Sequence, residues 1–422
     1  MKNFFSYVLK TATFRQSSVT FVGTVLNGLL GALFYIVLAR TLGPAEFGLL
    51  TVSIATLTLI SDMADIGTNT GLIKFVSSNL QSNRQKAWEF LKLSLEVKLI
   101  VWLIAFIVVF FLSPFLTDSI FKKPELLVPL RLVAFGVGAA LLFSYVTSAL
   151  QAFQKYFLWS AVNIITNFLR LILVIILGYY LMLNVNNSLI IYIALPFFGF
   201  FLSLLMLPTR QILMAKNERS LSREFFKYNI PVAIFTIIAA FSARLDTFLN
   251  ASLLSSKEVG IYGAASQLVQ VVPQLVTALG VVAAPKFSNF QNKVEMVKYL
   301  KKFQLLVLAL FVIGILSIPI SVYLLPFIYG SAYQDAIIPF IFLFLAMLVF
   351  LFSVPVHNAI IFYYGRPDVF IWVSLGHLII IAALGYFMIF KFGIIGASIT
   401  VLVGTIFNFF YPLAWLLIRL KK

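Results

Sequence analysis

Two short polar turns, LARTLGPAEFGLL at residues 38–50 and LNASLLSSKEVGIYG at residues 249–263, organise this sequence. Each turn separates two long apolar runs, and each contains the pattern Glu-x-Gly. A shift of 212 residues places Glu46 on Glu258 and Gly48 on Gly260. The shared pattern indicates that the chain is built from two copies of one unit.

The same offset aligns two further turn regions without a gap. Lys74-Phe75 falls on Lys286-Phe287, and Pro114-Phe115 falls on Pro326-Phe327, followed by Ser119 on Ser331. Isolated identities are common between apolar segments, but a single register over three separate turns is hard to obtain by chance. We therefore predict an N-terminal lobe at residues 1–212 and a C-terminal lobe at residues 213–422.

The composition is that of a helical membrane protein. Of the 422 residues, 62% are hydrophobic and only 11% are charged, whereas a soluble domain has about a quarter charged residues. A helix crosses the bilayer with about 20 apolar residues. The apolar runs predict about twelve spans, six in each lobe, near residues 17–39, 47–72, 91–113, 129–152, 157–182, 188–208, 229–253, 259–283, 303–327, 336–360, 369–390 and 395–418.

The basic residues predict the orientation. When alternate loops are assigned to opposite faces, most Lys and Arg fall on one face, which the positive-inside rule makes cytoplasmic. We therefore expect a multi-pass protein of the cytoplasmic (inner) membrane with both termini inside. Topology and attraction to anionic membrane lipids explain the net charge of +17 better than nucleic acid does. The chain has no Cys and two separate His, which leaves no predicted metal site.

Six spans per lobe bring both lobes into the membrane from the same side. Repeats of this kind are related by a pseudo-two-fold axis along the membrane normal, and substrate sites lie between the two halves.

Several motifs resemble those of polysaccharide (Wzx-type) flippases of the multidrug/oligosaccharidyl-lipid/polysaccharide (MOP, MATE-like) exporter superfamily. They are LARTLGPAEFGLL at 38–50, DMADIGTNTGLIKFVSS at 62–78 and ARLDTFLNASLLSSKEVGIYGAASQL at 243–268. The resemblance implies two six-helix bundles around a cavity that opens alternately to either side. The implied cargo is an oligosaccharide on a polyprenyl phosphate or diphosphate, and the implied partners are other polysaccharide-assembly proteins.

Basic residues inside or at the ends of spans are candidates for binding the phosphates of such a lipid, because ionisable groups at membrane depth are costly. The predicted cationic set is Arg15, Lys74, Arg170, Arg244 and Lys286. For Lys74 and Lys286 the alternative is that they extend to the interface and only enforce topology. For Arg170 and Arg244 the alternative is an ion pair inside a lobe.

Polar and acidic residues within the spans have two interpretations each. Asp62, Asp65 and Asp246 either bind a coupling Na⁺ or H⁺, which related exporters use, or neutralise the arginines. Asp62, Asp65 and Asn69 are spaced to share one helix face. The amides either meet sugar hydroxyls in a polar cavity or hydrogen-bond between helices; they are Asn27, Asn69, Asn163, Asn167, Gln270 and Gln274.

The sequence thus predicts a flippase for a lipid-linked oligosaccharide, with no catalytic residues and no cofactor beyond a coupling ion. A MATE-like cation-coupled exporter of small molecules is the first alternative, although basic residues within the spans at least match the acidic ones. A membrane glycosyltransferase or polymerase is the second alternative, although no long outer loop is present. The absence of a Walker motif argues against ATP hydrolysis.

Overall fold

The structure is a computed structural model that describes residues 12–216 and 219–421, with side chains from residue 19 onward except at 219, 220, 235, 278, 281 and 285. All regular elements in these ranges are helical. The helices are α1 (Ala12–Ala64), α2 (Thr68–Asn79), α3 (Arg84–Phe115), α4 (Leu127–Ala152), α5 (Tyr156–Tyr179), α6 (Val185–Leu204), α7 (Thr209–Met214), α8 (Arg219–Leu253), α9 (Ser256–Val269), α10 (Val271–Asn289), α11 (Lys293–Ser317), α12 (Ser321–Tyr329), α13 (Ile337–Asn358) and α14 (Val369–Lys421).

Ten of the described helical stretches are long and apolar enough to cross a membrane. Two of them, at residues 19–64 and 369–421, contain 46 and 53 residues. A single straight helix of that length would extend about 70–80 Å, more than twice the hydrocarbon thickness of about 30 Å. Each is instead two helices that meet at a non-helical glycine, so the structure has the twelve spans that the sequence predicts.

Glycine permits both junctions. Gly43 has φ 71° and ψ 170°, and Gly393 has φ 57° and ψ −139°. Residues with a Cβ rarely adopt these backbone conformations. Pro44 follows Gly43 at the start of the next helix, where its missing N–H costs nothing. The Gly-Pro of the first polar turn therefore sets the boundary between spans one and two.

Span two is not the continuous helix that the apolar run predicts. Helix α1 ends at Ala64, Ile66 and Gly67 have φ of 49° and 70°, and α2 begins at Thr68. Asp65 stabilises the restart, because Thr68 Oγ1 donates to its Oδ1 at 2.9 Å and the Asn69 N–H donates to its Oδ2 at 3.4 Å. The helix face that we predicted for Asp62, Asp65 and Asn69 is therefore interrupted between the second and third of these residues.

The chain forms two compact units. The first unit comprises the residues up to Thr41 together with Ser53–Ala240, and the second comprises Leu42–Val52 together with Phe241–Lys422. The predicted lobes divide the sequence repeat at 212/213, and the compact units differ from them in two segments. These segments are the first polar turn with the start of the next helix, at 42–52, and the stretch at 213–240, which runs into the first part of α8.

Close backbone packing explains where both segments belong. In the first unit, a Cβ on Gly67 would lie 2.9 Å from the Val232 side chain of α8, and a Cβ on Gly71 would overlap Asn229. In the second unit, a Cβ on Gly48 would lie 2.8 Å from the backbone nitrogen of Gly260. Residues without a side chain let these helices approach at backbone distance.

Candidate functional site

The first unit contains a partly open cavity of about 470 Å³, which we call the chamber. Its walls come from α1, α2, α4, α5 and α6. On α5, Asn163, Asn167 and Arg170 are spaced so that they share one helix face. Six residues of the sequence-predicted site line the chamber together: Asp62, Asp65, Asn69, Asn163, Asn167 and Arg170.

Asp65 forms a buried ion pair in the chamber wall. Lys98 Nζ of α3 lies 2.6 Å from Asp65 Oδ1 and donates a second hydrogen bond to Ser144 Oγ at 3.2 Å. The Lys98 side chain is fully buried, and that of Asp65 is 18% exposed. Asp65 is therefore occupied by a cation of the protein and by the start of α2. Our site prediction did not include Lys98, although a lysine within an apolar run was the available signal.

Arg170 is held inside the first unit by neutral groups. Its Nη1 donates to Asn167 Oδ1 at 2.8 Å, and its Nη2 donates to the Tyr192 carbonyl at 3.2 Å. The guanidinium carbon lies 4.3 Å from the Tyr192 ring centroid and 5.5 Å from that of Phe34. Arg170 makes no ion pair with a carboxylate of the described residues, so the internal ion pair we considered for it is not formed there.

The amides of α5 form a short chain of hydrogen bonds. Asn167 accepts from Arg170 through Oδ1 and donates from Nδ2 to Asn27 Oδ1 at 2.5 Å. Asn163 donates only to the Trp159 carbonyl of its own helix, at 2.8 Å. Asn27 thus reaches the chamber through Asn167, whereas the side-chain oxygen Oδ1 of Asn163 accepts no hydrogen bond from the described residues.

Asp246 lies in a separate polar cluster in the second unit. Tyr262 OH donates to Asp246 Oδ2 at 2.5 Å, and Ser242 Oγ lies 2.6 Å from His377 Nδ1. Arg244 lies between Ser242 and Asp246 in the sequence. It makes no hydrogen bond or ion pair with the residues that the structure describes. Asp246 therefore does not neutralise Arg244 there.

The remaining predicted residues lie outside the chamber. Lys74 is exposed, with Nζ 3.7 Å from the Tyr228 ring centroid, and its repeat equivalent Lys286 is exposed, with Nζ 5.5 Å from that of Tyr299. Gln270 and Gln274 are exposed on the second unit. The side chain of Arg15 is outside the described residues. Within residues 12–216 and 219–421, no three His, Cys, Asp or Glu side chains are placed to hold a metal ion.

The Gly-Arg-Pro-Asp turn after α13 carries a bidentate ion pair outside the spans. Arg366 Nε and Nη2 donate to the two carboxylate oxygens of Asp368, both at 2.8 Å. These hydrogen bonds lower the pKa of the Asp368 carboxyl and raise the pKa of Arg366. Both side chains are exposed, so the pair orders a turn and does not contribute to the chamber.

A family model described as polysaccharide biosynthesis protein matches residues 14–291, about two thirds of the chain and every wall of the chamber. The chain belongs to this family. No curated protein sequence matches it.

Solved structures of the MOP superfamily share the fold of this family member. One is a multidrug resistance MATE family transporter in an inward-facing conformation, with a TM-score of 0.75 and 13% identity over 94% of both chains. Another is the lipid II flippase MurJ, with a TM-score of 0.74 and 16% identity over 94% of this chain and 86% of that one. These likenesses confirm the predicted all-α, MATE-like fold, and the protein is a multi-pass membrane protein.

Proposed function

We propose that this protein is a flippase that moves a polyprenyl phosphate- or diphosphate-linked oligosaccharide across the cytoplasmic membrane during polysaccharide biosynthesis. The family match carries this proposal, because it names polysaccharide biosynthesis and spans the whole chamber. The protein would act by alternating access, as a transporter and not as an enzyme. The basic loops support an orientation with both termini in the cytoplasm.

A polar cavity within apolar helices supports a cargo with a polar head group. A polar side chain buried in a membrane bundle costs free energy unless it pairs with another polar group or with a ligand. The chamber gathers carboxylates, amides, hydroxyls and a guanidinium within the first unit. The polyprenyl tail needs no such cavity, because it is soluble in the bilayer while the head group crosses.

The phosphates would be held by cations whose donors are available. Lys74 and Lys286 are exposed, and Arg244 has no partner among the described residues. We therefore assign the phosphates to Lys74, Arg244 and Lys286, with Arg15 as a further candidate. Arg170 is less suited, because hydrogen bonds to Asn167 Oδ1 and to the Tyr192 carbonyl, one from each terminal nitrogen, already fix its guanidinium against the wall of the first unit.

Coupling to Na⁺ or H⁺ would involve one of the acidic residues Asp62, Asp65 and Asp246. Asp65 is a weaker candidate, because Lys98 and Thr68 already bind its carboxylate. Partner proteins of polysaccharide assembly would supply the glycolipid on one side of the membrane and extend its sugar chain on the other.

A cation-coupled exporter of small molecules is the second candidate. The likeness in fold to a multidrug resistance MATE transporter favours it, as do the two carboxylates in the chamber wall. An organic cation would bind to these carboxylates, whereas a lipid-linked diphosphate depends on the basic residues outside the chamber.

Reconstitution separates the two candidates. In proteoliposomes that contain a fluorescent polyprenyl diphosphate-linked sugar, the proposed flippase would transfer the lipid between leaflets. The double variant Lys74→Gln, Lys286→Gln is expected to lower the rate of this transfer about tenfold or more. Arginine at both positions would retain transport, and Lys298→Gln, an exposed control, would have no effect. If the wild-type protein transports ethidium but no glycolipid, the result would contradict the flippase proposal and favour the small-molecule exporter.

A further inference from the structure

We infer that the chamber binds an uncharged sugar of the cargo and does not hold its phosphates, an inference that rests on the proposed function. The chamber would then read the identity of the glycan, while cations elsewhere in the chain bind the anionic linkage.

The charges of the chamber balance. Among the described residues, its wall has the carboxylates of Asp62 and Asp65 and the guanidinium of Arg170. Lys98, behind the wall, is paired with Asp65. The formal charges of these four described residues therefore sum to zero, which leaves no net positive charge for a phosphate. A diphosphate in the chamber would be attracted by Arg170 and repelled by Asp62, while Lys98 and Asp65 largely cancel each other.

The chamber wall offers both hydrogen-bond donors and hydrogen-bond acceptors to a ligand. Asn163 uses only its Nδ2 in a hydrogen bond, so its Oδ1 is an open acceptor. The side-chain amide of Gln151 makes no hydrogen bond with a described residue and offers both a donor and an acceptor. A sugar hydroxyl donates and accepts, but an ionised phosphate oxygen only accepts. A phosphate would therefore leave the Asn163 and Gln151 acceptors unpaired.

The wall also contains buried polar atoms without a hydrogen-bond partner among the described residues. Ser61 Oγ, Asn69 Oδ1, Thr166 Oγ1 and Arg170 Nε are closed to solvent and make no hydrogen bond with the described residues. Ser61 and Thr166 are only 9% and 2% exposed. A buried polar group without a partner is costly. If the wall side chains change rotamer when a sugar binds, the hydroxyls of the sugar would form hydrogen bonds with these atoms.

The size and remaining lining of the chamber fit the same ligand. About 470 Å³ lies within the range of about 300–1,000 Å³ for small-ligand sites. Trp159, Phe143 and Pro196 supply apolar surface beside the polar groups. A sugar ring presents hydroxyls at its rim and C–H groups on its faces, so both parts of the wall have a counterpart.

The test compares three probes with full-length protein in proteoliposomes. They are polyprenyl diphosphate carrying a neutral N-acetylhexosamine, the same lipid carrying a hexuronic acid, and the bare polyprenyl diphosphate. Wild-type protein is expected to transport the neutral glycolipid with an apparent KM about three- to tenfold below that of the uronic acid lipid, since the latter adds an unpaired charge. A preference for the uronic acid would overturn the inference.

Asn163→Leu removes an open acceptor with little change in volume. It is expected to raise the apparent KM for the neutral glycolipid about three- to tenfold, the effect of one lost hydrogen bond, without affecting the bare lipid. Asn358→Leu is the matched control, because the Asn358 amide also donates to the carbonyl four residues earlier at 2.8 Å, but in the second unit. Its KM is expected to equal that of the wild type.

Gln151→Met provides a second variant, one residue before the end of α4, that removes the amide and keeps a side chain of similar length. It is also expected to raise KM for the neutral glycolipid alone. If wild-type protein transports the glycolipids and both variants keep the wild-type KM and thermal stability, the chamber is not the sugar site. If wild-type protein transports no glycolipid, the flippase function itself fails, and the inference fails with it.

Discussion

Gly48 and Gly260 meet at backbone distance, and their contacts are exchanged by the 212-residue repeat. A Cβ on Gly48 would lie 2.8 Å from the Gly260 nitrogen and would overlap the carbonyl of Ser256. A Cβ on Gly260 would lie 2.9 Å from the Gly48 nitrogen and would overlap the carbonyl of Pro44. Pro44 and Ser256 are themselves equivalent in the repeat. This close approach is a physical reason for a glycine at the end of the Glu-x-Gly pattern in both halves.

Alanine at Gly48 or Gly260 is expected to destabilise the protein. The atoms that a Cβ meets are backbone atoms, which cannot rotate away, and overpacking of this kind typically costs about 1–3 kcal/mol. Thermal unfolding of the detergent-solubilised protein measures the effect. Gly31→Ala is the control, because a Cβ there has no neighbour within 4 Å. Equal stability of the three variants would show that the backbone contact is not tight.

Lys98→Met is expected to destabilise the first unit by about 3–5 kcal/mol, because it leaves the Asp65 carboxylate without its cation in a largely buried place. Adding Asp65→Asn is expected to restore much of the loss, since no uncompensated charge remains. Thermal unfolding of the single and double variants measures this coupling. Strictly additive losses would mean that the two residues do not stabilise each other.

Arg170→Lys tests whether Arg170 is a structural clamp. Lysine keeps the charge but lacks the forked donors that reach both Asn167 and the Tyr192 carbonyl. We expect a loss of about 1.5–3 kcal/mol in stability, the range for hydrogen bonds to a charged group. Full stability together with a lowered affinity for the bare polyprenyl diphosphate would instead assign Arg170 to the phosphates.

The turn at Arg366 and Asp368 is expected to depend on pH and salt. Hydrogen bonds from Arg366 lower the pKa of the Asp368 carboxyl. The stabilisation is therefore complete above the usual aspartate pKa and is lost as the pH falls through the lower pKa of the folded state. An NMR titration of the Asp368 carboxyl should show its midpoint rise in Arg366→Gln and in high salt, which screens exposed pairs. An unchanged midpoint would contradict the ion pair.

The sequence by itself determined the fold class, the approximate positions of the twelve spans and six of the polar residues that line the chamber. Long apolar runs can satisfy their backbone in a bilayer only as helices, and Gly43-Pro44 sets the first turn. The spacing of Asn163, Asn167 and Arg170 places them on one helix face whatever the helix packs against. A register shared by separate turns revealed the repeat.

The tertiary structure decided which charges pair. Asp65 and Arg170 both line the chamber, yet the cation of Asp65 is Lys98 and the partners of Arg170 are an amide and a carbonyl. It also decided that span two breaks at Ile66 and Gly67. Periodicity fixes where a side chain lies around its own helix, but the neighbour it meets depends on how different helices pack, and glycines such as Gly67 and Gly71 set that distance only once α8 is in place.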